Sequence, residues 1–132
     1  MPFHLMDKSV NFHAQALDLR SHRAEVLSSN IANADTPNYK ARDINFQKLM
    51  QKQQHGPVKM DKTNHQHLSI GGGSDNPIAL YRVPGQASLD GNTVETHVEK
   101  AKFMENSVKY QSTLTFLGGR FKGLKTAIRG EL

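Results

Sequence analysis

His65 and His67 stand one residue apart, so an extended strand would turn both imidazoles to one face, where His55 could join them. Three imidazoles suit a zinc-type ion, but no cysteine and no nearby acidic pair completes a ligand set, and the reading is solvated loop histidines. The chain has no cysteine, which excludes disulfides, thiolate metal sites and cysteine nucleophiles. Gly71-Gly72-Gly73 lacks the Lys-Ser/Thr of a phosphate loop and opens no helix. Asp18 and Glu25 lie seven residues apart on a polar helix face, an arrangement of solvated charges rather than of an acid–base pair. No Ser-His-Asp arrangement is suggested by local context. The expectation is therefore a non-enzyme with no catalytic, cofactor or metal site.

The residues with the most to say are amides. Asn30 and Asn33 are three apart, neighbours on a helix surface, in the segment Leu27-Ser28-Ser29-Asn30-Ile31-Ala32-Asn33-Ala34-Asp35-Thr36-Pro37-Asn38-Tyr39. Asparagine is a poor helix-interior residue because its amide competes with the backbone. Two readings stand side by side: the amides close the last helical carbonyls before the turn, or they hydrogen-bond a neighbouring helix in a tight array. Thr36-Pro37 ends the helix, since a residue before proline is pushed out of the helical region. Tyr39, just past the turn, offers an apolar ring with a polar tip.

The elements that would position these groups are two long terminal helices. From Asp7, a candidate N-cap, to about Ala34, the residues Val10, Leu17, Ala24 and Ile31 recur every seven positions, with Ala14, Leu27 and Ala34 filling the stripe. Asp18, Arg23 and Glu25 occupy the far face. At the other end, Thr96-His97-Val98-Glu99 has capping-box spacing. Phe103, Tyr110, Leu117 and Leu124 then recur every seven residues, and Ser107, Leu114, Phe121 and Ile128 follow offset by four, a coiled-coil seam. Gly118, Gly119 and Gly123 interrupt it; each costs about 1 kcal/mol against alanine and permits close approach of another helix. Between the helices, Gln51, Gln53, Gln54, the histidines and the glycine run make residues 51–92 polar. There Ile78–Val83 reads as a short strand whose partner would be Val58–Met60 or Leu68–Ile70.

The expected fold is mainly α. Its long N- and C-terminal helices pack as a coiled-coil-like pair, with a polar, partly disordered central insert holding at most a small β-hairpin. Residues 1–50 carry the N-terminal helix and the turn, 51–92 the flexible insert, and 93–132 the C-terminal helix, the first and last forming one structural unit. A helix pair in a 132-residue chain leaves much of both stripes uncovered, so the core is expected to be completed by assembly.

Composition agrees. Hydrophobic residues are 36% and mean hydropathy is −0.61, which leaves little for a large buried core. No apolar run reaches the roughly 18 residues of a membrane span. The start, Met1-Pro2-Phe3-His4-Leu5-Met6-Asp7-Lys8, lacks the basic and apolar regions of a signal peptide. Net charge is +5, with the excess near the C-terminus in Arg120, Lys122, Lys125 and Arg129, where it complements a helix dipole. The competing readings are a basic helical protein binding nucleic acid or a membrane surface. Against the first stand the dispersed charge and the absence of clustered aromatics.

Ser29 to Tyr39 closely resembles the N-terminal signature of the bacterial flagellar rod, hook and hook-associated axial proteins. The continuation Lys40-Ala41-Arg42-Asp43-Ile44-Asn45-Phe46 is similar to the proximal-rod branch of that family. Asn38, where many other axial proteins have glycine, fits the same branch. Asp90-Gly91-Asn92-Thr93-Val94, Glu105-Asn106, Tyr110-Gln111 and Gly123 to Ile128 extend the likeness, which spans residues 8–50 and 88–130. The resemblance implies a structural subunit of the basal-body rod, crossing the periplasmic space. It implies export without a cleaved signal peptide through the flagellar type III channel, and polymerisation through the end helices into a hollow shaft that transmits torque and conducts later subunits. The implied partners are further copies of the chain, the rod protein FlgC, the adaptor FliE, the membrane ring and the export gate. The expected assembly interface is Val10, Leu17, Ala24, Leu27, Asn30, Ile31, Asn33, Thr36, Pro37 and Tyr39 from the first half, with Phe103, Tyr110, Leu114, Leu117, Phe121, Leu124 and Ile128 from the second.

Overall fold

The computed structural model describes residues 3–55, 79–86 and 88–130. Its elements in chain order are α1 (Phe3–Ala32), β1 (Arg42–Asp43), α2 (Phe46–His55), β2 (Leu80–Tyr81) and α3 (Thr96–Arg129). The long helices α1 and α3 lie antiparallel along each other: Asn30 meets Glu99, Arg20 meets Asn106, and the His13 and Phe116 rings approach to 6.4 Å. The mainly helical, end-paired architecture is the one the heptad stripes predict.

Helix α1 starts at Phe3, so Asp7 is not its N-cap but lies inside the helix. Its last turn tightens, with the Ala34 N–H donating to the Ile31 carbonyl at 3.3 Å, before Pro37 prevents continuation. Helix α3 runs unbroken through Gly118, Gly119 and Gly123 and closes at Gly130. The φ of 69° at Gly130 lets its N–H reach the Thr126 carbonyl at 3.0 Å, a C-terminal closure that glycine makes without strain. The capping box at its start does not form. Glu95, in extended geometry, is the N-cap and makes no side-chain cap bond. The Glu99 carboxylate turns inward instead, to Asn30 and Arg82, where two charge-assisted bonds outcompete a solvent-exposed cap.

The short strand finds a different partner from the one the sequence suggests. Of the described residues 79–83, only Leu80–Tyr81 is strand, paired antiparallel with β1, Arg42 opposite Tyr81 and Asp43 opposite Leu80. The Arg82 N–H extends the ladder to the Ala41 carbonyl at 2.9 Å. Val58–Met60 and Leu68–Ile70 lie outside the described residues, as do His65, His67 and Gly71–Gly73. The pairing ties β2 to the chain just after α1, where Asp43 offers Arg82 a charged partner that a polar hairpin would not.

Helix α2 was not legible in the sequence. Asn45 caps it, its Oδ1 accepting the Lys48 N–H at 3.0 Å, as an N-cap asparagine should. Its apolar face places Met50 against Ala16, Leu19 and Ile44, with Phe46 and Leu49 packed alongside. This small core sits to one side of the α1–α3 pair.

Along the pair itself the closest line on α3 is polar: Glu99, Asn106 and Thr113, seven residues apart, are buried. Asn106 donates to the Arg20 carbonyl at 2.8 Å, and Thr113 to the Lys109 carbonyl at 2.8 Å. The predicted seam is split around this line. Phe103, Leu117 and Leu124 are half-buried, whereas Leu114 is 48%, Phe121 54% and Ile128 84% exposed. One partner helix covers only one flank of a two-row stripe, so the second row stays in solvent.

Candidate assembly interface

The amide segment at the end of α1 is an internal clasp, and its two readings divide between its two asparagines. Asn33 closes its own helix: Nδ2 donates to the Ser29 carbonyl at 2.8 Å, and its Oδ1 accepts from Thr36 Oγ1 at 3.1 Å. Asn30, fully buried, reaches outward to other elements. Its amide flanks the Arg42 backbone as a neighbouring strand would: Nδ2 donates to the carbonyl at 2.6 Å and Oδ1 accepts the N–H at 3.2 Å. The second Nδ2 hydrogen goes to Glu99 Oε2 of α3 at 3.0 Å, and the Tyr39 hydroxyl donates to Oδ1 at 3.4 Å. All four hydrogen-bonding positions of one side chain are used, which fixes where α1, β1 and α3 meet. Tyr39 Oη also lies 3.2 Å from Ser29 Oγ.

The carbonyls left open at the end of α1 are closed from the far end of the chain. Asn92 Nδ2 lies 3.1, 2.7 and 3.0 Å from the carbonyl oxygens of Asn33, Ala34 and Thr36, while its Oδ1 accepts the Val94 N–H at 2.8 Å. The Asn38 N–H donates to the Asp90 carbonyl at 3.0 Å. Asn38 has a φ of 60°, the left-handed region that glycine and asparagine share. Gly91 faces it with a φ of 74°, and a Cβ there would stand 2.6 Å from Asn38 Oδ1. The two segments of resemblance are thus the two sides of one contact.

Beneath the clasp lies an ion network. Arg23 grips Asp43 with both ends of its fork, Nε to Oδ1 at 2.8 Å and Nη2 to Oδ2 at 3.0 Å. Arg82 Nη2 reaches the same Oδ2 at 3.1 Å and its Nη1 donates to Glu99 Oε1; Lys102 Nζ stands 3.6 Å from Asp43. Burial alone would raise the Asp43 pKa, but the bond and charge of Arg23, the Ile44 N–H and Arg82 outweigh it and hold the carboxyl below its ordinary range. The bond to Asp43 correspondingly raises Arg23. Arg23, expected on a solvated far face, is half-buried because Asp43 sits there. Nearby, Arg20 lies 4.2 Å over the Phe46 ring.

Of the expected interface residues, Leu27 and Asn30 are buried inside the chain, and Val10, Leu17, Ala24, Ile31, Asn33 and Tyr39 are half-buried against its own elements. Thr36 and Pro37 are exposed at the turn. Tyr110, Leu114, Phe121 and Ile128 form an exposed row on α3. Val10, Gly119, Gly123 and Leu124 line a groove of about 260 Å³ between the start of α1 and the end of α3. A Cβ at Gly118, Gly119 or Gly123 would meet nothing within 4 Å, so the close approach that these glycines permit is not made within the chain. No helix among the described residues is long and apolar enough to cross a membrane.

Sequence reasoning missed the Arg23–Asp43–Arg82–Glu99 network and the buried line Glu99, Asn106, Thr113. The signal was available, since that line has the same seven-residue period as the apolar rows, but hydropathy reads polar residues as solvated.

A profile described as flagella basal body rod protein matches residues 11–40, most of α1 and the turn that follows it. The chain is 51% identical to the flagellar basal body rod protein FlgB of Cereibacter sphaeroides over 90% of its own length and 92% of that protein's. It is 42% identical to the protein of the same name from Salmonella typhimurium over 95% of its length and 96% of that protein's. For the one from Escherichia coli the identity is 41%, over 94% and 95% of the two chains. Identity at this level over nine-tenths or more of the chain means that the chain belongs to the FlgB family of flagellar basal body rod proteins.

Proposed function

We propose that the chain is a structural subunit of the proximal rod, joining neighbouring subunits through the apolar row that its own helices leave uncovered. The observation that carries this reading is the row Tyr110, Leu114, Phe121 and Ile128, exposed along one face of α3. Buried against another helix, such a row contributes about 1.5–3 kcal/mol per large side chain. The groove at Gly119 and Gly123 adds a place where a second backbone comes close. In this reading the neighbours are copies of the chain, FlgC, FliE and the membrane ring and export gate, and the subunit is part of the shaft that crosses the periplasm. The assembled shaft carries torque and passes later subunits, and no catalytic role is assigned to any residue.

The test is Phe121→Asp or Leu114→Asp in a strain lacking the native gene. Both side chains are exposed, so circular dichroism of the purified variant should match the parent, and the protein should still be exported. Its incorporation into basal bodies should fail and the motility halo should collapse, because a charge buried at a subunit contact without a partner costs several kcal/mol. Normal motility with both substitutions would remove the row from the interface.

A further inference from the structure

The clasp network forms one wall of a cleft of about 680 Å³ that neither the row on α3 nor the clasp itself accounts for. Arg20, Arg23, Arg82, Lys102 and Lys109 line it, against a single lining carboxylate, Asp43. Counting Glu99 and Glu105, which pair with Arg82 and Lys109 at its edge, two positive charges remain in excess. The excess has an address. Arg23 and Arg82 are engaged by carboxylates, but Arg20 forms no ion pair and its side chain donates no hydrogen bond among the described residues; its Nε is buried and unpartnered. Burial, and then the charge of Arg23, disfavour its protonated form more than the Glu105 carboxylate favours it. An arginine keeps its charge in proteins and carries a planar fork of donors matched to a carboxylate. Its guanidinium already rests over the Phe46 ring, 4.2 Å from the centroid, so little side-chain freedom is lost when an acceptor arrives. Ile44, Phe46, Leu80 and Tyr81 give the rest of the wall an apolar character.

We propose that this cleft is a docking site for a glutamate or aspartate side chain presented by an apolar segment of a neighbouring protein, with Arg20 as its fork and Lys109, shared with Glu105, as a second cation at the rim. That the occupant is a protein segment rests on the subunit reading above; that the cleft takes a carboxylate does not. Mixed apolar and cationic lining distinguishes such a segment from a free inorganic anion, which would gain nothing from Leu80 or Tyr81.

The probes are the capped tripeptides acetyl-Leu-Glu-Leu-amide and acetyl-Leu-Gln-Leu-amide, and inorganic phosphate, each titrated at constant ionic strength into the isotope-labelled full chain and followed by nuclear magnetic resonance. The glutamate peptide should shift the Arg20 Nε–H and the backbone amides of Asn45, Phe46 and Gln47 saturably, and more tightly than the other two. Arg20→Gln should weaken it about tenfold, the effect of losing one charge-assisted pair. Lys109→Gln, at an exposed position that leaves the fold undisturbed, should weaken it about two- to threefold. Lys48→Gln, exposed and outside the cleft, should change nothing. Equal response to the glutamine peptide or to phosphate would overturn the proposal. So would unchanged glutamate-peptide affinity in Arg20→Gln and Lys109→Gln. Because the readout is binding by the isolated chain, it is independent of whether the α3 row builds the rod.

Discussion

A single amide, that of Asn30, holds three elements at once, and its removal is expected to be as damaging as truncation of the buried Leu27 nearby. Asn30→Ala strips partners from both backbone groups of Arg42 and from Glu99, while leaving all of them in place. Unsatisfied buried groups of this kind cost about 1–3 kcal/mol each, and partial entry of water brings the expected loss to about 2–4 kcal/mol. Urea unfolding of the full chain measures it, and a loss below that of Leu27→Ala would show that the clasp is not where stability resides. Asp43 gives the molecule its acid limb. Its carboxyl titrates below the ordinary 3.8, so the folded state binds that proton less readily than the unfolded chain. The stabilisation is therefore complete above the unfolded value and lost as pH falls through the folded one. The difference in unfolding free energy between the parent and Asp43→Asn should stay constant from about pH 7 down to about pH 5 and shrink below about pH 4. A difference that stayed flat below about pH 4, or grew as pH fell, would mean the carboxyl is not held down. At this scale the sequence was half legible. It singled out Asn30, Asn33 and Tyr39 by type and spacing, but the partners that decide what they do, Arg42, Glu99 and Asn92, are distant in the chain, and nothing local marks them.

Among the elements, the seven-residue period revealed both long helices, because a helix that buries one stripe must repeat it. It did not reveal which stripe would be innermost. The period is shared by Phe103–Tyr110–Leu117–Leu124 and by Glu99–Asn106–Thr113, and hydropathy ranks the wrong one as buried. Helix α2 escaped notice because ten residues yield few repeats, and β1 because a two-residue strand is defined only by its partner. The glycines of α3 then pose a question the isolated chain does not answer. Gly118, Gly119 and Gly123 face open space, so alanine fits at each without a clash, and each replacement should stabilise the helix by about 1 kcal/mol. If these glycines admit a neighbouring backbone in the assembled rod, the same replacements should impair incorporation. The triple variant is thus expected to be more stable by thermal melting yet to give a smaller motility halo. Higher stability with full motility would mean that the glycines serve no contact.

For the whole molecule, the clasp explains how two ends of a chain act as one unit. Residues 38–41 and 90–93 are bonded to each other: the Thr93 N–H to the Tyr39 carbonyl at 3.0 Å, the Ala41 N–H to Thr93 Oγ1 at 2.8 Å, and Lys40 Nζ to the Gly91 carbonyl at 2.6 Å. The chain between leaves through α2 and returns through β2, both anchored on the same side of α1. With its two ends fixed by these anchors, a connection's length enters the free energy only through loop closure, about 0.6 kcal/mol per doubling. The replaceable stretch must begin after His55, since α2 carries Met50 into the core, and not at residue 51 as composition alone suggests. Deleting Gly71–Gly73, or exchanging residues 60–66 for a Gly/Ser linker of equal length, is expected to leave both urea stability and the motility halo within error of the parent. The same number of substitutions across Asn30–Tyr39 should abolish motility, because they release α1, β1 and α3 together. If the linker exchange proved as harmful as the clasp substitutions, residues 56–78 would have to be a contact surface in their own right, and the unit built from residues 1–50 and 93–132 would not be the whole of the working subunit.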